Sequence, residues 1–104
     1  MIGLRKRGAA TADVLMPGAR LRARPTVVSA ERDGRTVLLD LKSDRYYGLD
    51  ETGSRFWALL SEGRTTEETA RLLADEYDAP VDRLKSDATA FALRLAAAGL
   101  LEVQ

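Results

Sequence analysis

The sequence of 104 residues contains no cysteine and no histidine. The chain therefore lacks the thiolate nucleophile, the commonest general base and the usual zinc ligands, and it cannot form a disulfide. No serine-nucleophile, paired-carboxylate or phosphate-loop motif takes their place. We therefore predict that the protein is not an enzyme, that it has no catalytic residue, and that it uses no metal and no cofactor.

Long hydrophobic runs are also missing. No apolar stretch approaches the roughly 20 residues that cross a bilayer. The N-terminal stretch "MIGLRKRGAATADVLMPG" has no continuous apolar segment like that of a secretory signal. The length suits one domain with one modest core. These absences predict a cytoplasmic protein with no membrane partner.

Charge is balanced in total but unevenly placed along the chain. The formal net charge is zero, with a surplus of five positive charges in residues 1–35 and of five negative charges in residues 36–104. The first 24 residues show no sustained hydrophobic periodicity, so we predict a flexible basic N-terminal arm over 1–24 and a folded domain over 25–104. The arm is either a solvated tail or a segment attracted to an acidic partner.

Residues 26–49 have the composition of a β-meander. "RDGR" contains the Asp-Gly pair of a tight hairpin, and "KSDR" forms a second turn. In "TVLLDL", Val37, Leu39 and Leu41 alternate with Leu38 and Asp40, which makes one face apolar throughout. The third strand is expected to be an edge of the sheet. Three antiparallel strands are thus predicted, at about 26–32, 35–42 and 45–49.

Three helices are predicted to follow the strands. Asp50 suits the N-cap of the first helix, and Gly63 suits its end. "TTEE" is a capping box, with Thr65 at the N-cap of the second helix and Glu68 at its third position. Pro80 suits the first position of the third helix, where a missing N–H does no harm.

The order of these elements predicts an α+β fold, a winged helix-turn-helix in which a three-stranded antiparallel sheet is followed by three helices. The apolar tail, Leu100 to Val103, is expected to pack back on the sheet. Winged helices that bind DNA need surplus arginine and lysine on the recognition helix. The third helix has a surplus of only one positive charge, so DNA binding stays an alternative rather than the main prediction.

The stretch "RYYGLD" makes the third strand a candidate binding edge. An extended peptide can add a strand to such an edge through main-chain hydrogen bonds. The stretch contains neither proline nor the lysine that usually protects an exposed edge. Gly48 either lets another backbone approach closely or marks a β-bulge, and the sequence leaves both interpretations open.

Three stretches together carry a family resemblance: "VLLDLKSDRYYGLDETGSRFW", the helix start "RTTEE", and "AFALRLAAAGLL". In their order and spacing they resemble the PqqD-like peptide-chaperone family of pyrroloquinoline quinone biosynthesis. More broadly, they resemble the recognition elements of ribosomally synthesised, modified peptides (RiPPs). The likeness extends over about residues 25–103. "RYYGLDETGSRFW" is most similar to the stand-alone leader-binding proteins of lasso-peptide clusters, and the quinone-cofactor branch is the alternative.

The resemblance implies a small winged helix that binds no nucleic acid. It implies that the leader of a precursor peptide is held as an added strand, between the third strand and the third helix. The leader is then delivered to a processing enzyme, which in lasso systems is a leader peptidase. The leader-binding residues implied for this chain are Arg45, Tyr46, Tyr47, Gly48, Leu49, Leu84, Asp87, Ala88, Phe91 and Arg94.

Overall fold

The computed structural model describes Val14, Met16 and residues 18–104. Among these residues, five strands and three helices follow one another along the chain. The strands are β1 (Leu21–Ala23), β2 (Val27–Arg32), β3 (Arg35–Asp40), β4 (Arg45–Leu49) and β5 (Leu101–Val103). The helices, all between β4 and β5, are α1 (Glu51–Ser61), α2 (Thr66–Tyr77) and α3 (Val81–Ala97). The α+β class and the three-stranded sheet followed by three helices are confirmed, and the arrangement is compatible with a winged helix.

The main sheet is an antiparallel meander in the order β2-β3-β4. Its first hairpin turns at Asp33 and Gly34, whose φ angles of 55° and 76° are those of a tight two-residue turn. Arg32 pairs with Arg35 beside this turn. The Asp-Gly signal in the sequence therefore sets the register of the first two strands correctly.

The face of β3 that packs on the helices is not the apolar one that the alternation suggested. Leu38 is fully buried and Asp40 is 6% exposed, whereas Val37 is 47% exposed. Asp40 can point inward because its carboxylate accepts hydrogen bonds from Thr26 Oγ1 at 3.1 Å, from the Lys42 backbone N–H at 3.1 Å and from Ser43 Oγ at 3.0 Å. Burial disfavours the ionised carboxylate, but these hydrogen bonds outweigh that effect and lower the pKa of Asp40.

The helix boundaries follow their capping residues. Asp50 caps α1 by accepting a hydrogen bond from the Gly53 N–H at 2.7 Å. The predicted capping box of α2 is present, with the Glu68 N–H donating to Thr65 Oγ1 and the Thr65 N–H donating to the Glu68 carboxylate. Pro80 is the N-cap of α3 rather than its first residue. These capping residues mark the positions at which the three helices begin.

The core lies between the inner face of the sheet and the three helices. Its fully buried large side chains come from every layer of the fold, and they include Leu21, Leu38, Leu60, Leu73 and Leu100. Leu38 contributes from the sheet, Leu60 from α1 and Leu73 from α2, so that one apolar cluster joins all of these elements.

A second, two-stranded sheet joins the two ends of the domain, where the sequence predicted a flexible arm and a tail packed on the main sheet. Strand β1 pairs with β5 in an antiparallel ladder in which Leu21 is opposite Val103. The prediction of a flexible arm through residue 24 is therefore wrong for 21–23, and the rest of that arm lies largely outside the described residues. The C-terminal tail pairs with β1 instead of packing on the main sheet, because it reaches a strand that the sequence pattern did not reveal.

Ion pairs between arginines near β1 and acids of α2 and β5 account for part of the charge asymmetry. Arg20 donates to the Glu68 carboxylate at 3.0 Å, and Arg22 donates to the Glu102 carboxylate at 2.8 Å. Arg24 lies 3.7 Å from the same Glu102. Three of the positive charges in residues 1–35 are thus matched by acids of the same chain, although exposed pairs of this kind add little stability.

Candidate functional site

Strand β4 is an edge of the main sheet. Within the part of the chain that the structure describes, β4 pairs with β3 and with no other strand. In an antiparallel ladder, alternate residues of an edge strand direct their N–H and C=O groups away from the partner strand. About half of the main-chain groups of Arg45–Leu49 are therefore free to accept a further strand.

Gly48 lies in regular β-structure. It is directly opposite Val37 in an unbroken register from Arg45 to Leu49, so the bulge interpretation is wrong. A Cβ atom built on Gly48 would have no described heavy atom within 4 Å, its chain neighbours apart. The fold itself therefore does not require glycine here, and the space beside this residue is open.

A groove runs between the free edge of β4 and helix α3. Its volume is about 980 Å³, which is at the upper end of the range of about 300–1,000 Å³ for ligand sites. β4 and α3 form its walls, and the first turns of α1 contribute to its base. Its lining comprises Tyr46, Tyr47, Gly48, Leu49, Asp50, Thr52, Gly53, Phe56, Asp87, Ala90, Phe91, Arg94, Leu95 and Ala98.

The groove has an aromatic floor. The rings of Phe56 and Phe91 are tilted by 36° with their centroids 5.4 Å apart, and the two residues are only 5% and 4% exposed. Gly53 lies beside this floor: a Cβ there would be at ordinary contact distance, 3.6 Å, from the Phe91 ring and closer, at 3.2 Å, to Asp50 Oδ1. An apolar side chain entering the groove would meet a surface formed by these two rings.

Two opposite charges lie on the α3 side of the groove. Asp87 and Arg94 are exposed and line it, and neither forms an ion pair with another described residue. Since they are seven residues apart in one helix, they are separated by about 10.5 Å along its axis. The α3 wall of the groove therefore offers one negative and one positive group at well-separated points.

The structure brings together most of the residues that the sequence singled out. Seven of the ten line the groove: Tyr46, Tyr47, Gly48, Leu49, Asp87, Phe91 and Arg94. Leu84 and Ala88 do not line it, and they belong to the buried core, at 5% and 0% exposure. Arg45 is exposed at the start of β4, outside the lining.

Sequence reasoning missed the contribution of α1 and the small residues of α3. Phe56, Gly53 and Ala90 were not among the predicted site residues. The spacing of Ala90 and Arg94, four residues apart, does place them on one helical face. That pattern could have revealed Ala90, whereas the position of Gly53 depends on how α1 meets α3.

The structure contains no sign of a metal site or of a membrane helix in the residues that it describes. No group of three or more acidic, histidine or cysteine side chains is arranged there to hold a metal ion. None of the described helices combines the length and apolarity needed to cross a bilayer. The groove at β4 is thus the main feature on which a function can be based.

Comparison with known families identifies the fold. Residues 35–101 match the family "Coenzyme PQQ synthesis protein D (PqqD)". The chain belongs to the PqqD family. The matched segment contains β3, β4 and all three helices, and so it includes both walls of the groove. No curated protein sequence matches this PqqD-family chain.

Three solved structures are similar to this PqqD-family chain. TbiB1, solved in complex with the TbiA(beta) leader peptide, is 40% identical with a TM-score of 0.74, and the match covers 78% of this chain and 94% of that one. A lasso peptide synthetase B1 complexed with its leader peptide is 29% identical with a TM-score of 0.73, covering 80% and 98%.

The third is the PqqD part of PqqCD from Methylobacterium extorquens, described as a functional and stand-alone RiPP recognition element. It is 26% identical with a TM-score of 0.65, and the match covers 79% of this chain and 87% of that one. The resemblance to PqqD-like recognition elements inferred from the sequence is confirmed by these matches.

Proposed function

We propose that this protein is a non-catalytic recognition element that binds the leader of a ribosomally synthesised precursor peptide, of the lasso class. The leader adds an antiparallel or parallel strand to the free edge of β4, and its apolar side chains enter the groove beside α3. The observation that carries this proposal is the unpaired edge of β4 next to a groove with an aromatic floor.

The energetics of such binding are reasonable. Each main-chain hydrogen bond formed at the β4 edge contributes a net of roughly 0.5–1.5 kcal/mol. Each leader side chain buried against Phe56 and Phe91 adds roughly 1.5–3 kcal/mol. After the cost of association is subtracted, micromolar to nanomolar affinity is expected. By holding the leader close to a processing enzyme, the protein raises the leader's effective concentration.

The proposal includes delivery of the leader to a leader peptidase in the cytoplasm. The lasso assignment is supported by the likeness to the lasso peptide synthetase B1, at 29% identity and a TM-score of 0.73, against 26% and 0.65 for the Methylobacterium PqqD segment. Action as a chaperone of the quinone-cofactor type is the nearest alternative. DNA binding has less support, because exposed residues of α3 carry both signs of charge, as Asp82, Arg83, Lys85 and Asp87 illustrate.

A titration combined with hydrogen exchange tests the proposal. The probe is the TbiA(beta) leader peptide, which is bound in the structure of the 40% identical TbiB1, and a scrambled version of that peptide is the control. We expect saturable binding of the leader alone, with slowed amide exchange in β4 (Arg45–Leu49) and unchanged exchange in β2 (Val27–Arg32), the other edge of the sheet. Protection of β2 instead of β4, or equal binding of a DNA duplex, would contradict the proposed site.

A further inference from the structure

Strand β2 is exposed over most of its surface. Within the described part of the chain it pairs with β3 and with no other strand, and its last five residues, Val28 to Arg32, are all exposed. Its sequence, "VVSAER", contains neither proline nor lysine, and its register with β3 is unbroken, so no bulge protects it. The sheet therefore has a second edge to which a strand can be added.

The hydrogen-bonding phase of β2 is set at the start of its ladder with β3. Just before β2, the Leu41 N–H donates to the Thr26 carbonyl oxygen at 2.9 Å. Hydrogen-bonded and non-hydrogen-bonded pairs alternate along an antiparallel ladder. In the register of β2 and β3, every second residue from Thr26 onward therefore bonds to β3, and the residues between them direct their N–H and C=O groups to the free edge. Ser29 and Glu31 are two of these outward-bonding residues.

Ser29 and Glu31 make this edge complementary to itself. A two-fold axis through Ala30 places Ser29 of one protomer opposite the partner's Glu31, and the converse, with the helices of both protomers on the same side of the sheet. Up to about four main-chain hydrogen bonds then form around the axis. Both side chains are exposed on the same face of the strand, so the Ser29 hydroxyl can donate to the partner's Glu31 carboxylate.

Shifting this register by two residues in either direction is less favourable. One shift places Glu31 opposite the partner's Glu31, where the two carboxylates repel each other. The other shift places Glu31 opposite the partner's Val27, whose side chain offers no donor and whose N–H already donates to the Arg24 carbonyl oxygen at 2.9 Å. Of these three registers, the one centred on Ala30 gives both protomers complementary side chains.

A second copy of this chain suits the β2 edge better than an unrelated peptide does. No residue of β2 lines the groove, so a peptide at this edge would gain main-chain hydrogen bonds without side-chain burial. A second copy supplies the Ser29–Glu31 pair twice by symmetry. The contact is one strand wide and falls below the roughly 800 Å² per partner of a standard interface, so the association is expected to be weak and concentration-dependent.

We infer that two copies of this chain associate through β2 into a two-fold dimer, in which two three-stranded sheets form one continuous sheet with the strand order β4-β3-β2-β2-β3-β4. Each β4 stays free at an outer edge of that sheet, and the two β4 strands lie about 24 Å apart at the usual strand spacing. The dimer therefore presents two grooves in one assembly. This inference is independent of the proposed function, because no residue of β2 belongs to the groove.

Single cysteines test the register, because the chain contains no native cysteine. Around the axis, Ala30 lies opposite the partner's Ala30 in a non-hydrogen-bonded pair with Cα atoms about 4.5 Å apart, a distance that a disulfide spans. Val28, on the same strand and face, would be about 14 Å from the partner's Val28. Under mild oxidation, Ala30→Cys should form a covalent dimer about tenfold faster or more than the control Val28→Cys.

Sedimentation of the full chain from about 1 μM to about 1 mM measures the association itself. Ser29→Pro removes an N–H that faces the free edge and leaves the ladder with β3 intact, so its melting temperature should stay within a few degrees of the wild type. Because it also removes about half of the hydrogen bonds across the axis, the dissociation constant of the dimer should rise by about tenfold or more. Ser29→Thr keeps both the N–H and the hydroxyl, and as the matched control it should dimerise like the wild type.

The outcomes that contradict the β2 dimer are distinct. Wild-type protein that stays monomeric at about 1 mM, or a dimer that a folded Ser29→Pro variant leaves unchanged, would overturn the inference. A dimer that dissociates on addition of the TbiA(beta) leader peptide would be paired through β4 instead. Cross-linking of Val28→Cys as fast as that of Ala30→Cys would likewise exclude this register, and it decides the question even if Ser29→Pro fails to fold.

Discussion

Replacing Ala90 with tryptophan tests the groove without disturbing the core. Ala90 is exposed and lines the groove on the α3 side, so a larger side chain there would occupy the space that a leader side chain needs. The substitution costs α3 only about 0.5 kcal/mol in helix propensity. The groove itself would lose much of its free width beside Phe91.

The magnitude follows from the contact that is lost. Excluding one leader side chain from the aromatic floor forfeits roughly 1.5–3 kcal/mol of apolar burial. Since about 1.4 kcal/mol corresponds to a tenfold change, the dissociation constant of the leader should rise by about 10- to 100-fold. The hydrogen bonds along the β4 edge remain available, so weak residual binding is expected rather than complete loss.

The assay is a titration of labelled leader followed by fluorescence anisotropy, with Ser86→Trp as the control. Ser86 is an exposed residue of α3 that does not line the groove, so its variant should bind the leader normally. Both variants should melt within a few degrees of the wild type. A folded Ala90→Trp variant with wild-type leader affinity would refute the claim that the leader enters this groove.

Three further perturbations separate binding from stability. Arg94→Glu should weaken leader binding. A leader in which one acidic residue is replaced by a basic one should restore the affinity of this variant in a matched titration. If no such charge-reversed leader restores affinity, Arg94 pairs with no acidic residue of the leader. Leu38→Ala should lower the free energy of unfolding by about 2–5 kcal/mol in a urea titration, because Leu38 is fully buried; a loss below about 1 kcal/mol would contradict its central place in the core. The pKa of Glu76 is lowered chiefly by the hydrogen bond from Arg55, and the pKa of Glu68 by those from the Thr65 backbone and Arg20. A carboxylate whose pKa is lowered by folding stabilises the protein above its unfolded-state pKa, near pH 4, and this stabilisation is lost as the pH falls through the folded-state pKa. The melting temperature of the wild type should therefore drop below about pH 4. The drop should be less steep in Glu76→Gln, which lacks one of these carboxylates.

The parts of the fold that the sequence predicted are those specified by local chemistry. Asp33 and Gly34 adopt positive φ angles that few residue pairs tolerate, so their turn was recognisable. Thr65 and Glu68 satisfy each other's backbone groups three residues apart, so the start of α2 was equally clear. Each of these signals lies within four residues of chain.

The parts that were missed depend on contacts between distant residues. Val37, Leu38 and Leu39 are consecutive apolar residues, so the period of two could not decide which face of β3 is buried. The decision is made by Asp40, whose inward carboxylate is satisfied by three donors from the turns before β2 and after β3. Strand β1 is only three residues long, and its partner is about 80 positions away, as the hydrogen bond from Arg22 to Glu102 illustrates.

The same limit applies to the groove. The edge of β4 was predictable because "RYYGLD" carries its own signal, and Asp87 and Arg94 were predictable only from family resemblance. The floor was not, since Phe56 and Phe91 come from different helices and meet only after α1 has packed on α3. Leu84 and Ala88 were named as groove residues from the family resemblance, but both lie in the buried core and neither lines the groove.

The two free edges of the main sheet explain why the function is assigned to β4. Strand β2 is also an edge among the described residues, and its free main-chain groups could accept a strand equally well. Among the described residues, the groove that contains Phe91 lies beside β4, so a peptide added to that edge can combine main-chain hydrogen bonds with side-chain burial. Hydrogen bonds alone give little sequence preference, because every peptide has the same backbone. Selection of one leader therefore requires the groove, and the position of that groove determines which edge of the sheet is functional.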